Sequence, residues 1–235
     1  METGIHTPNT QYSAENKKAA LFKDRARTNV FRKSEQKLIF FLVKRVPLYI
    51  SSDILTFIGL IGSVIVLIGF LLGAFVNPLY ILLGILGLVI NWLGDSLDGR
   101  LAYYRNIPRK WYGFSLDIIM DWIGTVLIGL GYLMYAQNGT EILAFLFVVL
   151  YGWAMIISQL RYKITNQYTI DSGLVGPTEL RVIISLILVL EALFQGSITY
   201  FVSLITLVLF IINIADTRKL LRSGDLRDKE ERRIN

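Results

Sequence analysis

The chain has 235 residues, 54% of them apolar, and a mean hydropathy of +0.53; a soluble domain stays nearer half apolar even when glycine is counted, so composition excludes one and points to a bilayer. Its 24 Lys and Arg against 18 Asp and Glu give a net charge of +6 and a pI near 9.5, which membrane topology and attraction to anionic lipid account for without nucleic acid. With no cysteine and a single histidine, His6 in a polar N-terminal stretch, disulfides, thiolate nucleophiles and sulfur-based zinc sites are excluded, and acid–base and metal chemistry falls to carboxylates.

Residues 1–29 are polar with scattered charge and read as a cytoplasmic arm. The first 38 residues lack the apolar core of a cleavable signal peptide, so the first crossing is expected to serve as its own insertion signal. Residues 30–52 follow as a juxtamembrane surface helix and turn. A helix over 30–47 brings Lys33, Lys37 and Lys44 to one side and Leu38, Ile39, Leu42 and Val46 to the other, as in a helix lying among lipid headgroups; a basic linker held inside by its charge is the alternative. Pro47 is placed to end this helix. The stretch Ser51-Ser52-Asp53 offers capping oxygens to the next one.

Six apolar runs come next, near 53–75, 78–97, 113–136, 141–160, 180–196 and 198–215. Most come near the roughly 20 residues needed to cross about 30 Å of hydrocarbon. They are continuous rather than alternating, which excludes membrane strands. The fifth, broken by Glu191, is the least regular. All 24 basic residues fall in 1–52, 98–112, 161–181 and 216–235, while the alternate connections at 76–77, 137–140 and 196–197 hold none. Short cytoplasmic loops retain Lys and Arg. The expected fold is therefore an all-α integral membrane protein, with six transmembrane helices over 53–215 preceded by an amphipathic juxtamembrane helix. Residues 216–235 form a charged tail, and both termini are cytoplasmic.

The second run ends in NWLGDSLDGRLAYYRN and the third begins WYGFSLDIIMDW. Asp95 and Asp98 are three residues apart, and Asp117 and Asp121 four apart, so each pair projects from one helix face. Gly113 precedes Asp117 by one turn on the same face. The short connection from Gly99 to Tyr112, containing Pro108, returns the third helix beside the second and lets four carboxylates converge near the cytoplasmic surface. An aspartate at bilayer depth costs roughly 2.5–3.5 kcal/mol on insertion scales, and clustered anions repel. Divalent cations offset both. Oxygen-rich sites suit Mg2+ or Mn2+, and bridging carboxylates hold two ions about 3.5–4 Å apart, an arrangement suited to phosphoryl transfer. A wet helix end facing a polar crevice is the plainer alternative for any single aspartate.

This pattern resembles the signature of the CDP-alcohol phosphatidyltransferase family, D-x-x-D-G-x-x-A-R followed after eight or nine residues by G-x-x-x-D-x-x-x-D. Asp95, Asp98, Gly99, Ala102, Gly113, Asp117 and Asp121 match in identity and spacing, and Tyr103 stands where the family usually has arginine. SSDILT at 51–56 and GPTELR at 176–181 are similar to family segments opening the first and fifth helices. The resemblance implies that Asp95, Asp98 and Asp117 ligate metal, and that Asp121 ligates or takes the acceptor hydroxyl's proton. It implies that Gly99, Ala102 and Gly113 line the nucleotide pocket; close packing of membrane helices is the other reading of the glycines. Tyr103 leaves a phosphate contact to be replaced, by Arg105 or Arg100, unless these and Arg109 serve only as topology signals. Arg181 and Arg109 are candidates for donor or acceptor phosphate, with a pair to Glu179 the alternative for Arg181.

The expected activity is transfer of a phosphatidyl group from CDP-diacylglycerol to a small polar alcohol with release of CMP, using two Mg2+ or Mn2+ ions. Its expected partners are the CDP-linked donor, the alcohol acceptor and membrane lipids, and the resemblance suggests a homodimer. Within the family the reverse arrangement, a CDP-linked small alcohol donating its phospho-headgroup to a lipid hydroxyl, is the alternative; six crossings, the compact form of the family, favour the former. Aspartate-rich prenyltransferases place their motifs farther apart than the 18 residues between Asp98 and Asp117. A divalent-cation transporter would want polar groups through the depth of several helices, and the outer halves here are almost wholly apolar.

Overall fold

The computed structural model describes residues 32–137, 139–165 and 177–234, and the arm expected at 1–29 lies outside them. Among the described residues every regular element is helical: α1 (Arg32–Val43), α2 (Ser52–Phe75), a 3-10 turn (Pro78–Leu82), α3 (Leu83–Tyr104), α4 (Lys110–Tyr135), α5 (Ile142–Thr165), α6 (Pro177–Leu193) and α7 (Ser197–Ile234). Five helical stretches among these residues, Ser52–Phe75, Pro78–Tyr104, Lys110–Tyr135, Ile142–Thr165 and Ser197–Arg233, are long and apolar enough to cross a membrane. α6, with 17 residues and an internal glutamate, is not among them. The chain thus has the character of a multi-pass membrane protein.

Local sequence explains where these helices start and stop. Ser51 accepts a hydrogen bond on Oγ from the Ile54 amide at 3.2 Å and caps α2; Asn77 caps the 3-10 turn through the Leu79 amide at 2.9 Å. The end of α3 is set by Asn106, whose φ of 57° lies in the left-handed region that asparagine tolerates. The amides of Asn106 and Ile107 turn back to the carbonyls of Tyr103 and Ala102, at 3.1 and 3.0 Å. That pair of bonds closes the helix and directs the chain through Pro108 into α4. The segment carrying Asp95 and Asp98 is thereby delivered beside the one carrying Asp117 and Asp121.

The helices pack as a ring, with neighbours in the order α2, α3, α6, α7, α5, α4 and back to α2. Lipid is as apolar as leucine, so such helices gain from close van der Waals contact rather than from leaving water. α2 and α3 achieve it with glycines. A Cβ at Gly62 would stand 2.5 Å from the Gly87 carbonyl oxygen, and one at Gly94 would stand 2.6 Å from the Gly59 Cα, so any larger residue would separate the two backbones. A core of Val66, Phe70, Ile81, Leu88, Tyr132 and Leu188 fills the ring beyond them.

Three features go beyond the sequence expectation. α1 ends at Val43 rather than at 47, and it buries Ile39 and Val43 against Leu55, Leu97 and Leu101 while Leu38 and Phe41 stay exposed; the buried stripe runs along positions four apart because α1 lies across the ends of α2 and α3. The charged residues expected as a tail at 216–235 are helical. They continue α7 to Ile234, supported by Lys229–Asp225 and Arg227–Glu231 pairs at 2.7 and 2.8 Å and by Arg227 donating to the carbonyls of Lys163 and Ile164 at the end of α5. Glu191 interrupts the fifth apolar run for a structural reason. Its carboxylate accepts from Tyr135 Oη at 2.7 Å, from the Gly196 and Ile198 amides at 2.9 and 2.7 Å, and from Ser197 Oγ at 3.2 Å, closing the turn into α7 and tying it to α4. α6 therefore runs between the two ends of the ring, Arg181 at one and Glu191 at the other.

Candidate active site

At the end of the ring where α2, α4 and α6 begin and α3 and α5 finish, the chain surrounds a cavity of about 320 Å³. Its wall includes Ser52, Asp53 and Thr56 from α2, Asp95, Asp98, Gly99, Arg100, Ala102 and Tyr103 from α3, Arg109 and Lys110 at the start of α4, Gly113 and Asp117 one and two turns on, and Tyr162 from α5. A second, smaller chamber of about 60 Å³, reached by Ser63, Asn91, Asp121, Thr125, Tyr151 and Arg181, lies deeper among α2 to α6. Asp95 and Asp117 face the larger space, and Asp121 the smaller.

The i, i+3 and i, i+4 spacings converge. Asp95, Asp117 and Asp121 each offer a carboxylate oxygen, all within 4.8 Å of one another. Asp98 is turned differently: it is buried, its Oδ2 accepts from Thr56 Oγ1 at 2.7 Å, and its Oδ1 accepts from the Gly99 amide. The expectation counted all four aspartates as candidate ligands, with Asp121 either a ligand or the base. Here the three-carboxylate group is Asp95, Asp117 and Asp121, with Asp98 beside it and tied to α2.

The donor set fits a hard divalent cation. Every ligand atom is oxygen, as Mg2+ and Mn2+ prefer. Mg2+ binds oxygen at about 2.0–2.1 Å, so two ligands of one ion stand at most roughly 4 Å apart; a group already within 4.8 Å closes on an ion by a small rotamer change. Bridging carboxylates at this spacing also suit a pair of ions.

Gly99 and Gly113 answer the packing question in the opposite sense to Gly62 and Gly94. A Cβ built on either would meet nothing within 4 Å, and both line the cavity. Helix packing does not account for glycine at these two positions. They present bare backbone to open space in register with the aspartates.

The basic residues divide. Arg109 stands at the mouth, pairs with Asp53 and lies 4.3 Å from the centre of the Tyr112 ring. Its hydrogen bond to the Asp53 carboxylate holds the guanidinium above the ordinary arginine value, so it is a permanent cation there. Arg100 is mostly buried and lines the cavity. Arg105 does not line it: its guanidinium donates to the carbonyls of Ile50 at 2.5 Å, Pro47 at 2.8 Å and Val46 at 3.2 Å. It clamps the α1–α2 connection to the end of α3; of the two arginines expected as replacements for the one missing at Tyr103, Arg100 is the one that lines the cavity. Arg181 is also engaged, donating from Nη2 to Asp95 Oδ2 at 2.7 Å and from Nε to Asn91 Oδ1 at 2.8 Å.

Sequence reasoning passed over Thr56, Asn91, Ser63 and Tyr162. Asn91, a full amide inside an apolar run and one turn before Asp95, carried a usable signal. Ser63, Thr56 and Tyr162 carried little, because hydroxyls are common in membrane helices and only the assembled ring shows which of them face inward.

Residues 49–212, the larger part of the chain, match the CDP-alcohol phosphatidyltransferase family. No curated protein matches the sequence.

Proposed function

Since this chain belongs to the CDP-alcohol phosphatidyltransferase family and is thus an enzyme transferring substituted phosphate groups, we propose that it moves a phosphatidyl group from CDP-diacylglycerol to a small polar alcohol and releases CMP. The observation that carries this reading is the carboxylate triplet of Asp95, Asp117 and Asp121 beside a cavity whose wall is opened by two glycines with no packing partner. A nucleotide diphosphate resting against Gly99, Ala102 and Gly113 would bring its phosphates toward that triplet, with Arg109 and Arg100 as fixed cations along the way.

Asp95, Asp117 and Asp121 would hold Mg2+ or Mn2+, in one or two ions, and Asp98 would support them. Bound there, the ions neutralise charge building on the transferring and leaving oxygens. The acceptor oxygen forms a bond to the phosphorus that carries the diacylglycerol, the bond from that phosphorus to the CMP oxygen breaks, and CMP leaves with the electron pair. A carboxylate oxygen of Asp121 takes the acceptor's proton. Asp121 suits this task because it touches the deeper chamber as well as the triplet, where a small hydroxylated acceptor can approach from the side opposite the nucleotide.

In the bilayer we place six crossings, α2 to α7, with α1 lying on the cytoplasmic surface. Support for six comes from α6 reaching Asp95 at one end and Tyr135 at the other. Support for orientation comes from the basic residues: Arg105, Arg109, Lys110, Arg161 and Lys163 stand at the site end, while the connections at 76–77 and 194–197 hold none.

The test incubates purified enzyme and Mg2+ with CDP-diacylglycerol and a panel of alcohols, including glycerol phosphate, inositol, inositol phosphate and serine, and follows CMP. CMP release with one acceptor and none in chelator is the expected result. Silence across the panel, with CMP formed from a CDP-linked small alcohol and diacylglycerol, would instead assign the lipid to the acceptor side.

A further inference from the structure

Arg181 is the centre of a hydrogen-bonded chain that crosses three helices. Asn91 stands one turn before Asp95 on α3, and its Nδ2 donates to the Gly59 carbonyl at 3.0 Å and to Ser63 Oγ at 3.1 Å, both on α2. A carbonyl only accepts, so this end of the amide must be the nitrogen and Oδ1 must face away from α2. There it meets Arg181 Nε at 2.8 Å, while Nη2 of the same guanidinium reaches Asp95 Oδ2 at 2.7 Å. One planar fork thus straddles a full turn of α3. Lysine, a single point charge on a flexible stem, cannot hold both positions at once.

The fork lies within the cluster's own charge. Three carboxylates whose oxygens stand within 4.8 Å of one another repel, and their partial burial among the helices weakens the screening between them. Both partners of the Arg181–Asp95 pair are largely buried, with side-chain exposures of 16% and 19%. One permanent cation offsets part of the repulsion and leaves a net negative group that still attracts a divalent ion.

We propose that Arg181, aligned by Asn91, is a built-in counter-ion of the carboxylate triplet: it stabilises the metal-free enzyme by holding Asp95, and a divalent ion binds in competition with it for Asp95's charge. The inference rests on the metal reading above. Its consequence is that the protein withstands loss of metal between turnovers, at the expense of some metal affinity. Arg181 acts here through Asp95 and is a positioning residue.

The experiment measures two quantities on the full chain in detergent: the thermal midpoint in chelator, and Mn2+ affinity by electron paramagnetic resonance titration. Breaking a buried ion pair from one side leaves uncompensated charge, so Arg181→Met is expected to lower the metal-free midpoint by at least about 6 °C. Saturating Mn2+ should restore most of that loss, and the Mn2+ dissociation constant should fall several-fold because a competing cation is gone. Arg181→Lys and Asn91→Leu keep the charge and lose the fork; they should lower the metal-free midpoint by a smaller amount without tightening Mn2+ binding, and they carry the test if Arg181→Met does not fold. An unchanged midpoint in all three variants, or Mn2+ binding weakened in Arg181→Met, would overturn the proposal. Wild-type protein that binds no Mn2+ would instead remove the metal reading on which it rests.

Discussion

A methyl group added at Gly99 tests the proposed nucleotide seat without disturbing the fold. Apart from the adjoining residues and the helix's own backbone, no atom lies within 4 Å of a Cβ at Gly99 or at Gly113, so alanine enters either helix without a packing clash. It also gains about 0.5–1 kcal/mol of helix preference over glycine. At roughly 2–4 °C per kcal/mol for a chain of this size, the thermal midpoint should hold or rise by about 1–4 °C. If a phosphate or sugar of the donor rests on the bare backbone, the methyl displaces it and forfeits a charge-assisted hydrogen bond of about 1.5–3 kcal/mol, which is roughly a 10- to 140-fold loss of affinity. Calorimetric titration of CDP-diacylglycerol into enzyme reconstituted in lipid discs with Mg2+, beside a thermal melt of the same sample, reads both. Gly62→Ala is the contrast, since its Cβ would stand 2.5 Å from the Gly87 carbonyl oxygen and 2.8 Å from the Asn91 Cα; its midpoint should fall. Unchanged donor affinity in Gly99→Ala, or a lowered midpoint there, would refute the distinction between the two kinds of glycine.

Asp121→Asn should depress turnover much more than donor binding if Asp121 takes the acceptor's proton, because that proton moves only in the chemical step; donor affinity falling in step with turnover would make it chiefly a ligand. Glu191→Leu strips four donors of their shared acceptor, including the buried Ile198 amide. At about 1–3 kcal/mol for a buried donor left unpaired and roughly 2–4 °C per kcal/mol, the midpoint should drop by at least about 2 °C while the folded fraction keeps its KM, and a changed KM at constant stability would mean the far end of the ring communicates with the site. Cysteines placed at Gln137 and at Ser223 should be labelled by an impermeant reagent from opposite sides of the membrane; labelling of both from one side would overturn the six-crossing arrangement.

Much of the architecture is local and therefore legible in the residue order. Continuous apolar runs, the capping Ser51, the register of Asp95, Asp98, Gly99, Gly113, Asp117 and Asp121, and the clustering of Lys and Arg in alternate connections are all properties of neighbours along the chain. Helix period and bilayer thickness convert them directly into crossings and a carboxylate-bearing pair of helices. What remained ambiguous depended on contacts between residues far apart in sequence. Glycine has no side chain by which to declare its purpose, so only the approach of α3 to α2 shows that Gly62 and Gly94 serve packing and that Gly99 and Gly113 face a cavity. Arginine is charged wherever it stands, so only its partners separate Arg105, which clamps backbone carbonyls 55 to 59 residues earlier, from Arg109 and Arg100 on the cavity wall. A glutamate in an apolar run reads as a defect until the turn it caps is folded beside it, as Glu191 shows. The residue order determined which groups the site could use; the tertiary structure decided which way each faces and what it pairs with, because direction and partnership arise only when helices distant in sequence are packed into one ring.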